Sequence, residues 1–250
     1  MNITVHTVCF NEALMLPHFL NYYSKIAEKI YVYDNYSTDN SVQIASDHPN
    51  TIVTRFDSGG EHSELALMNL RNNCWKNDQS DYSIVCDMDE FLYHPNLLEF
   101  LQTNISKFSA FKPIGYEMVS EYFPDNYKSL ITEQVKRGCE SIFYSKMILF
   151  KPTECAEINF GPGSHTADPK AKNSIDQVKV YSATNSADDL KLLHYKNLGF
   201  EYRRNRHNMY AARLGEDFRN HRFGFHYTLD LATQEQEFNE IKNASKSIIA

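Results

Sequence analysis

The sequence contains no run of about 20 consecutive apolar residues, the length a helix needs to cross a bilayer. It opens with neither a basic stretch nor a long apolar one, so nothing at its beginning reads as an export signal, and the cytoplasm is the expected location. Cationic charge is also short. Lys and Arg number 25 against 32 Asp and Glu, for a formal net charge of -7, which leaves no basic stripe of the kind nucleic acid requires. The five cysteines, Cys9, Cys74, Cys86, Cys139 and Cys155, include no CxxC pair, and their odd number fits no closed disulfide framework. Cys9 and Cys86 lie in apolar runs, as reduced buried thiols do in a cytosolic protein. GxGxxG and GxxxxGK[ST] are both missing, which excludes a classical dinucleotide fingerprint and a P-loop. There is no internal repeat and no low-complexity linker.

What remains is material for a large core. Of 250 residues, 42% are apolar, and a chain of this length buries roughly three quarters of its unfolded surface. The 16 Tyr and 16 Phe serve mainly to fill that core, with a few left for stacking on a ring-shaped ligand.

Apolar runs and helical periodicity alternate through the first half. ITVHTVCF (3–10), KIYVYD (29–34), TIVTRF (51–56) and YSIVC (82–86) read as strands. Between them, helices are expected over 12–27, from Ser37 or Thr38 to Ala45, and over 64–76. Strands separated by helices imply parallel βαβ units, so the first hundred residues read as half of a doubly wound sheet. The second half is less regular: strands at 110–119, 141–151 and 190–195, a loop at 161–172, a strongly basic helix at 200–214 and a terminal helix at 233–249. A soft boundary near residue 105 divides a 1–105 half from a 106–250 half within one compact unit.

The sharpest motif is CDMDEF (86–91), directly after an apolar strand. Ligands of parallel sheets bind beyond the carboxyl ends of strands. Side chains two apart share a side, so Asp87 and Asp89 both aim into that crevice while Met88 points away. Two hard oxygen donors there suit Mg²⁺ or Mn²⁺, which in turn hold substrate phosphates. The plainer reading is an acidic turn capping the next helix. A second motif, YDNYSTDNS (33–41), follows the second strand on the same sheet edge. Asp34 there can accept from a base N–H or a ribose hydroxyl, Asn35 and Ser37 offer short polar contacts, and Ser37, Thr38 or Asp39 caps the following helix. A third is Phe10-Asn11-Glu12: Asn11 is either a helix cap or, with Glu12, a nucleoside contact. Gly59-Gly60 lets backbone approach a ligand.

The set CFNEA, YDNYSTDNS and CDMDEFLY resembles the family 2-like and family 92-like glycosyltransferases, and among them bacterial enzymes that build capsule or lipopolysaccharide chains. Looser matches follow in YSKMILF (144–150), GSH (163–165) and LHYK (193–196). The resemblance implies a GT-A (Rossmann-like) α/β fold, a mostly parallel sheet flanked by helices with a less regular acceptor-side half. It also implies a hexosyltransferase with a UDP-sugar donor, a Mn²⁺ or Mg²⁺ cofactor, inversion, and a glycan or lipid-linked acceptor that would be met at the inner membrane face. Asp34 would contact the base, Asp87 the ribose or a metal-bound water, and Asp89 the metal, while Glu90 would buttress the loop. A late histidine often completes such a metal site, and His165 and His194 are the candidates. Lys146 would neutralise the diphosphate or else snorkel to the surface. An inverting enzyme needs a base, for which Glu117, Glu121 and Asp125 in GYEMVSEYFPD are candidates. This sequence lacks the Glu-Asp pair that many members carry there. Tyr116, Tyr122, Phe123 and Tyr127 would form an acceptor platform. The cluster around Tyr202–His207 reads as a solvated basic face or as a patch for an anionic group.

Two other readings stay open on the residues alone. A metal-dependent nucleotidyltransferase or phosphohydrolase would use the same Asp87 and Asp89, although FNEALML stands where a Gly-rich basic loop is usual. A non-catalytic sugar-binding protein would share the fold.

Overall fold

A computed structural model describes residues 1–173, 175–184 and 188–249. The chain is mixed α/β. Its first half runs β1 (Ile3–Cys9), α1 (Leu16–Tyr23), β2 (Lys29–Asp34), α2 (Ser41–Asp47), β3 (Thr51–Arg55), α3 (Glu64–Asn73) and β4 (Tyr82–Val85). The short strand β5 (Glu90–Tyr93) and α4 (Leu97–Asn104) follow. Strands β3, β2, β1 and β4 lie side by side and parallel, the order βαβ crossovers produce. They form one large, mostly parallel sheet flanked by helices.

That sheet is completed from later in the chain. β6 (Ala110–Lys112), β9 (Leu149–Phe150) and β12 (Val180–Ser182) extend it beyond β4, and of these only β9 runs antiparallel to its neighbours. A second sheet combines β5 with β7 (Ile114–Ser120), β8 (Arg137–Glu140), β13 (Lys191–Leu198) and β14 (Lys246–Ser247). Between them lie α5 (Ile131–Gln134) and a hairpin of β10 (Cys155–Glu157) with β11 (Lys170–Ala171). The chain then adds α6 (Phe200–Ala211), α7 (Glu216–His221), a 3-10 turn over Phe225–Thr228 and α8 (Leu231–Ala244). No helix among the described residues is long and apolar enough to cross a membrane.

Several expected elements are redrawn. The strand expected over 110–119 is two strands in two different sheets. Pro113 divides it, because proline offers no N–H to a ladder. The strand expected over 141–151 shrinks to β9 at its far end: Ile142–Tyr144 form a 3-10 turn with Ile142 85% and Phe143 67% exposed, while Met147, Ile148, Leu149 and Phe150 are buried. The first helix begins only at Leu16, with Pro17 in its opening turn. The second starts at Ser41; Ser37 and Thr38 do not cap it, while Asp39 Oδ1 accepts from Ser41 N–H (2.9 Å), the first amide of the helix. The terminal helix stops at Ala244, and Ile249 returns to the core after β14.

The core reaches directly beneath the CDMDEF loop. Phe91 is fully buried and packs edge-on against Phe19, Tyr22 and Tyr195 and stacks on Tyr23. The Tyr23 hydroxyl donates to the Glu90 carbonyl (2.9 Å) and accepts from Leu92 N–H (3.0 Å). One buried phenol therefore fixes the backbone on both sides of Phe91, and with it the start of β5.

Candidate functional site

The loop between β4 and β5 carries Asp87 and Asp89 at the carboxyl end of the parallel sheet. Glu90 shapes it: one carboxylate oxygen accepts from Asp87 N–H (3.0 Å) and the other lies 2.5 Å from Lys146 Nζ. Met88 is 2% exposed and belongs to the core. Asp87 pairs with Arg71 Nη2 (2.8 Å) and with Lys146 Nζ (3.3 Å). Asp89 faces His194 Nε2 and Arg206 Nη1, each at 3.2 Å. Burial alone would raise both carboxyl pKa values. Arg71 and Lys146 outweigh it at Asp87, as Arg206 and His194 do at Asp89, and both acids stay well below the usual carboxylate range. Burial would lower the Lys146 pKa, but Glu90 and Asp87 hold it above the ordinary lysine value. Both aspartates are therefore charged at neutral pH.

These groups line a single cleft enclosing about 1240 Å³ of atom-free space, open solvent at its mouth included. Asp87, Asp89, His165, His194, Lys146, Glu12 and Asn35 all line it. His165 Nδ1 lies 2.7 Å from the Phe143 carbonyl, which makes Nδ1 the protonated nitrogen and leaves Nε2 with its lone pair.

The remaining sequence candidates lie elsewhere. Asn11 does not line the cleft; held at φ 54°, it joins two loops. Its side-chain oxygen accepts from Thr38 N–H (2.7 Å) and Asp39 N–H (3.3 Å), while its own N–H donates to Ser37 Oγ (3.0 Å). Asp39 accepts from Ala13 N–H (3.0 Å), and Ser41 Oγ accepts from Glu12 N–H (2.8 Å). The polar residues of YDNYSTDNS thus latch the β2–α2 loop to the β1–α1 loop. Asp34 is fully buried, accepts from Ser37 N–H (3.2 Å) and pairs with Arg55. Glu117 is held by Lys196 at 2.9 Å. Burial would raise the Glu117 pKa, and Lys196 outweighs burial to lower it. Glu121 pairs with Lys242 (3.3 Å), and neither it nor Asp125 lines the cleft. The expected tyrosine platform is also absent from it: Tyr116 is in the core and Tyr122 is 79% exposed.

In place of that platform, α6 forms the far wall. Arg203, Arg206, His207, Tyr210 and Arg213 recur at helical spacing and all line the cleft. Part of the basic face that the sequence suggests is solvated turns inward. Arg206 Nη2 lies 2.9 Å from Glu12. Arg213 lies over Phe10, its guanidinium carbon 3.5 Å from the ring centroid, and donates to Asn35. Burial raises the Glu12 pKa to about 7 against the opposing pull of Arg206. The segment GFHY folds back over this wall, with His226 and Tyr227 on the cleft and the ring centroids of Tyr227 and Tyr210 5.1 Å apart. Arg71 and Tyr210 line the cleft without belonging to any motif of the sequence; Tyr210 shares with Arg203, Arg206 and His207 a spacing of three and four along α6, while nothing local marks Arg71 on α3.

No family model matches the chain, and no curated protein does. Among solved structures, a glucosyl-3-phosphoglycerate synthase from Mycobacterium tuberculosis, crystallised with Mn²⁺, UDP and glucosyl-3-phosphoglycerate, is 16% identical with a TM-score of 0.33. The alignment covers 46% of this chain and 44% of that one, less than half the length of the synthase. The bifunctional IspDF from Campylobacter jejuni is 13% identical over 78% of this chain and 53% of its own, with a TM-score of 0.39. HddC from Yersinia pseudotuberculosis is 11% identical over 73% and 89%, with a TM-score of 0.37. Likeness at this level carries no argument about function.

Proposed function

We propose that this chain is a metal-dependent glycosyltransferase that takes a sugar from a nucleotide-sugar, a UDP-sugar first among them, to a glycan or lipid-linked acceptor of surface polysaccharide synthesis. The observation that supports it is the convergence of Asp87, Asp89, His194 and Lys146 on one cleft at the carboxyl end of a parallel sheet.

The donor set fits a hard divalent ion. Two neighbouring ligands of an octahedral ion with bonds of about 2.1 Å stand about 3.0 Å apart. Asp89 Oδ1 and His194 Nε2 are 3.2 Å apart. Among the described residues no three His, Cys, Asp or Glu side chains form a ready-made cage. Such an incomplete set is what Mg²⁺-type sites use, since the ion takes its remaining ligands from water and substrate phosphate. Asp89 and His194, with Asp87 beside them, would hold the ion. Once bound it would supply charge neutralisation for a diphosphate leaving group.

The chain's own residues supply the rest. Lys146, kept protonated by Glu90 and Asp87, places a fixed cation beside the aspartates. Arg71, between Glu64 (3.0 Å) and Asp87, holds Asp87 in one orientation. Arg213, held between Phe10 and Asn35, offers a guanidinium face for the nucleoside.

A thermal-shift panel of UDP, GDP and CDP, each with and without Mn²⁺, tests the reading. One nucleotide should raise the melting temperature far more with Mn²⁺ than without. Equal shifts with and without metal would refute it, and turnover of a nucleoside triphosphate would point instead to a nucleotidyltransferase.

A further inference from the structure

The cleft does not end at Asp89. Beyond it, β13, α6 and the 225–228 turn enclose a second end bounded by Lys196, Arg203, His207 and His226. Arg203 is 3% exposed; one of its terminal nitrogens pairs with Glu237, while Nε and the other terminal nitrogen have no hydrogen-bond partner. His207 is 6% exposed and its Nδ1 is likewise without a partner. The two imidazole rings, His207 and His226, lie 5.9 Å apart at 71°. Buried donors left unsatisfied are rare, and each costs on the order of 1–3 kcal/mol. Three unpaired nitrogens on neighbouring residues of one cleft wall therefore point to a ligand that completes them.

The local field names its charge. Burial first, then Arg203 and other cationic neighbours, lowers the His207 pKa to about 3. Burial and then Lys196, with His62 and Arg203 behind it, lowers that of His226 to about 4. Neither imidazole has a carboxylate among its main electrostatic neighbours, whereas every cation at the Asp87–Asp89 end faces one or more. Glu117 and Glu237, which do not line the cleft, are taken up by Lys196 and Arg203.

We propose that this end of the cleft is an anion subsite, in which Arg203, His207 and His226 hold a phosphate or carboxylate group carried by the acceptor. This assignment rests on the glycosyltransferase reading for the word acceptor, and on the cleft alone for the anion. It narrows the acceptor class to phosphorylated or acidic sugars.

Calorimetric titration of inorganic phosphate, and separately of glucuronate, into the chain saturated with UDP and Mn²⁺ tests it. At least one anion should bind alongside the nucleotide, phosphate marking a phosphorylated acceptor and glucuronate a carboxylated one. Arg203→Gln and, at the more exposed position, His226→Asn should each weaken that binding about tenfold, the loss of one charge-assisted hydrogen bond. Both variants should keep UDP–Mn²⁺ affinity. Absence of anion binding, anion binding indifferent to both variants, or expulsion of phosphate by UDP would overturn the subsite. If UDP and Mn²⁺ themselves fail to bind, the glycosyltransferase reading fails separately, and the same titrations without nucleotide still decide the subsite.

Discussion

His194 Nε2 and Asp89 Oδ1 stand 3.2 Å apart, with Arg206 at the same distance from the other Asp89 oxygen. The pair joins two distant parts of the chain, because β13 lies antiparallel to β5 with His194 in register with Glu90. The second sheet thus delivers a histidine to a loop that the first sheet has positioned. Removing either partner should separate metal from nucleotide binding. His194→Ala should lower the Mn²⁺-dependent part of the UDP thermal shift at least about tenfold in apparent affinity and leave the metal-free part unchanged. Melting curves at fixed UDP over a Mn²⁺ series check this.

Tyr23→Phe removes one hydroxyl and orphans the Leu92 N–H and the Glu90 carbonyl it serves. Both are buried, so unfolding free energy should fall by about 1–3 kcal/mol with little change in m-value, as measured by urea denaturation.

Gly115 tests the support of Lys146 from the other side. A Cβ built there would lie 2.0 Å from the Tyr144 carbonyl carbon and 2.4 Å from Ser145 N, both backbone atoms. Gly115→Ala must therefore displace the 142–145 turn. It should destabilise the chain by roughly 1–3 kcal/mol, the usual cost of overpacking, and weaken UDP–Mn²⁺ binding at the same time. Paired melting and calorimetric measurements would show both.

Acid should unfold this protein early. Burial first, and Arg71 and Arg213 after it, lower the His62 pKa to about 4, while His207 sits at about 3. Both values lie below the ordinary histidine value of 6.5, so between these limits the unfolded chain binds more protons than the native one. Their contribution to stability is complete above pH 6.5 and is lost progressively as pH falls toward 4. Glu12 works in the opposite sense: its raised pKa, about 7, makes folding favour the protonated acid as pH falls from 7 toward its model value of 4.5. Denaturant midpoints should decline from pH 6.5 to 4, and Glu12→Gln should steepen that decline.

The parallel βαβ units of the first half are legible because β1, β2, β3 and β4 are short apolar runs separated by helical periodicity, and local pattern fixes such units. The place of Asp87 and Asp89 in the cleft is legible for the same reason, as the ending of an apolar strand. Other features depended on pairing between distant segments. Nothing local shows that Pro113 sends its two flanking strands into different sheets, or that Ile142 and Phe143 stay exposed. YDNYSTDNS looked like a ligand loop with a helix cap because Asn, Ser and Asp serve both uses. The partner that claims its hydroxyls and amides is Asn11, on another loop. The basic run of α6 reads from sequence as a solvated face, as most such runs are, or as a patch for an anionic group. Its burial follows from Glu12 and Asp89 waiting opposite Arg206, carboxylates supplied by loops more than a hundred residues earlier.

The central claim is that Asp87 and Asp89 gather a divalent cation that grips a nucleotide diphosphate. Electron paramagnetic resonance of Mn²⁺ titrated into the chain with saturating UDP tests it most directly. The account predicts one tightly bound Mn²⁺ per chain, much weaker binding without UDP, and loss of the bound signal in Asp89→Asn. Unchanged Mn²⁺ binding in that variant, or UDP affinity that survives a chelator undiminished, would contradict it.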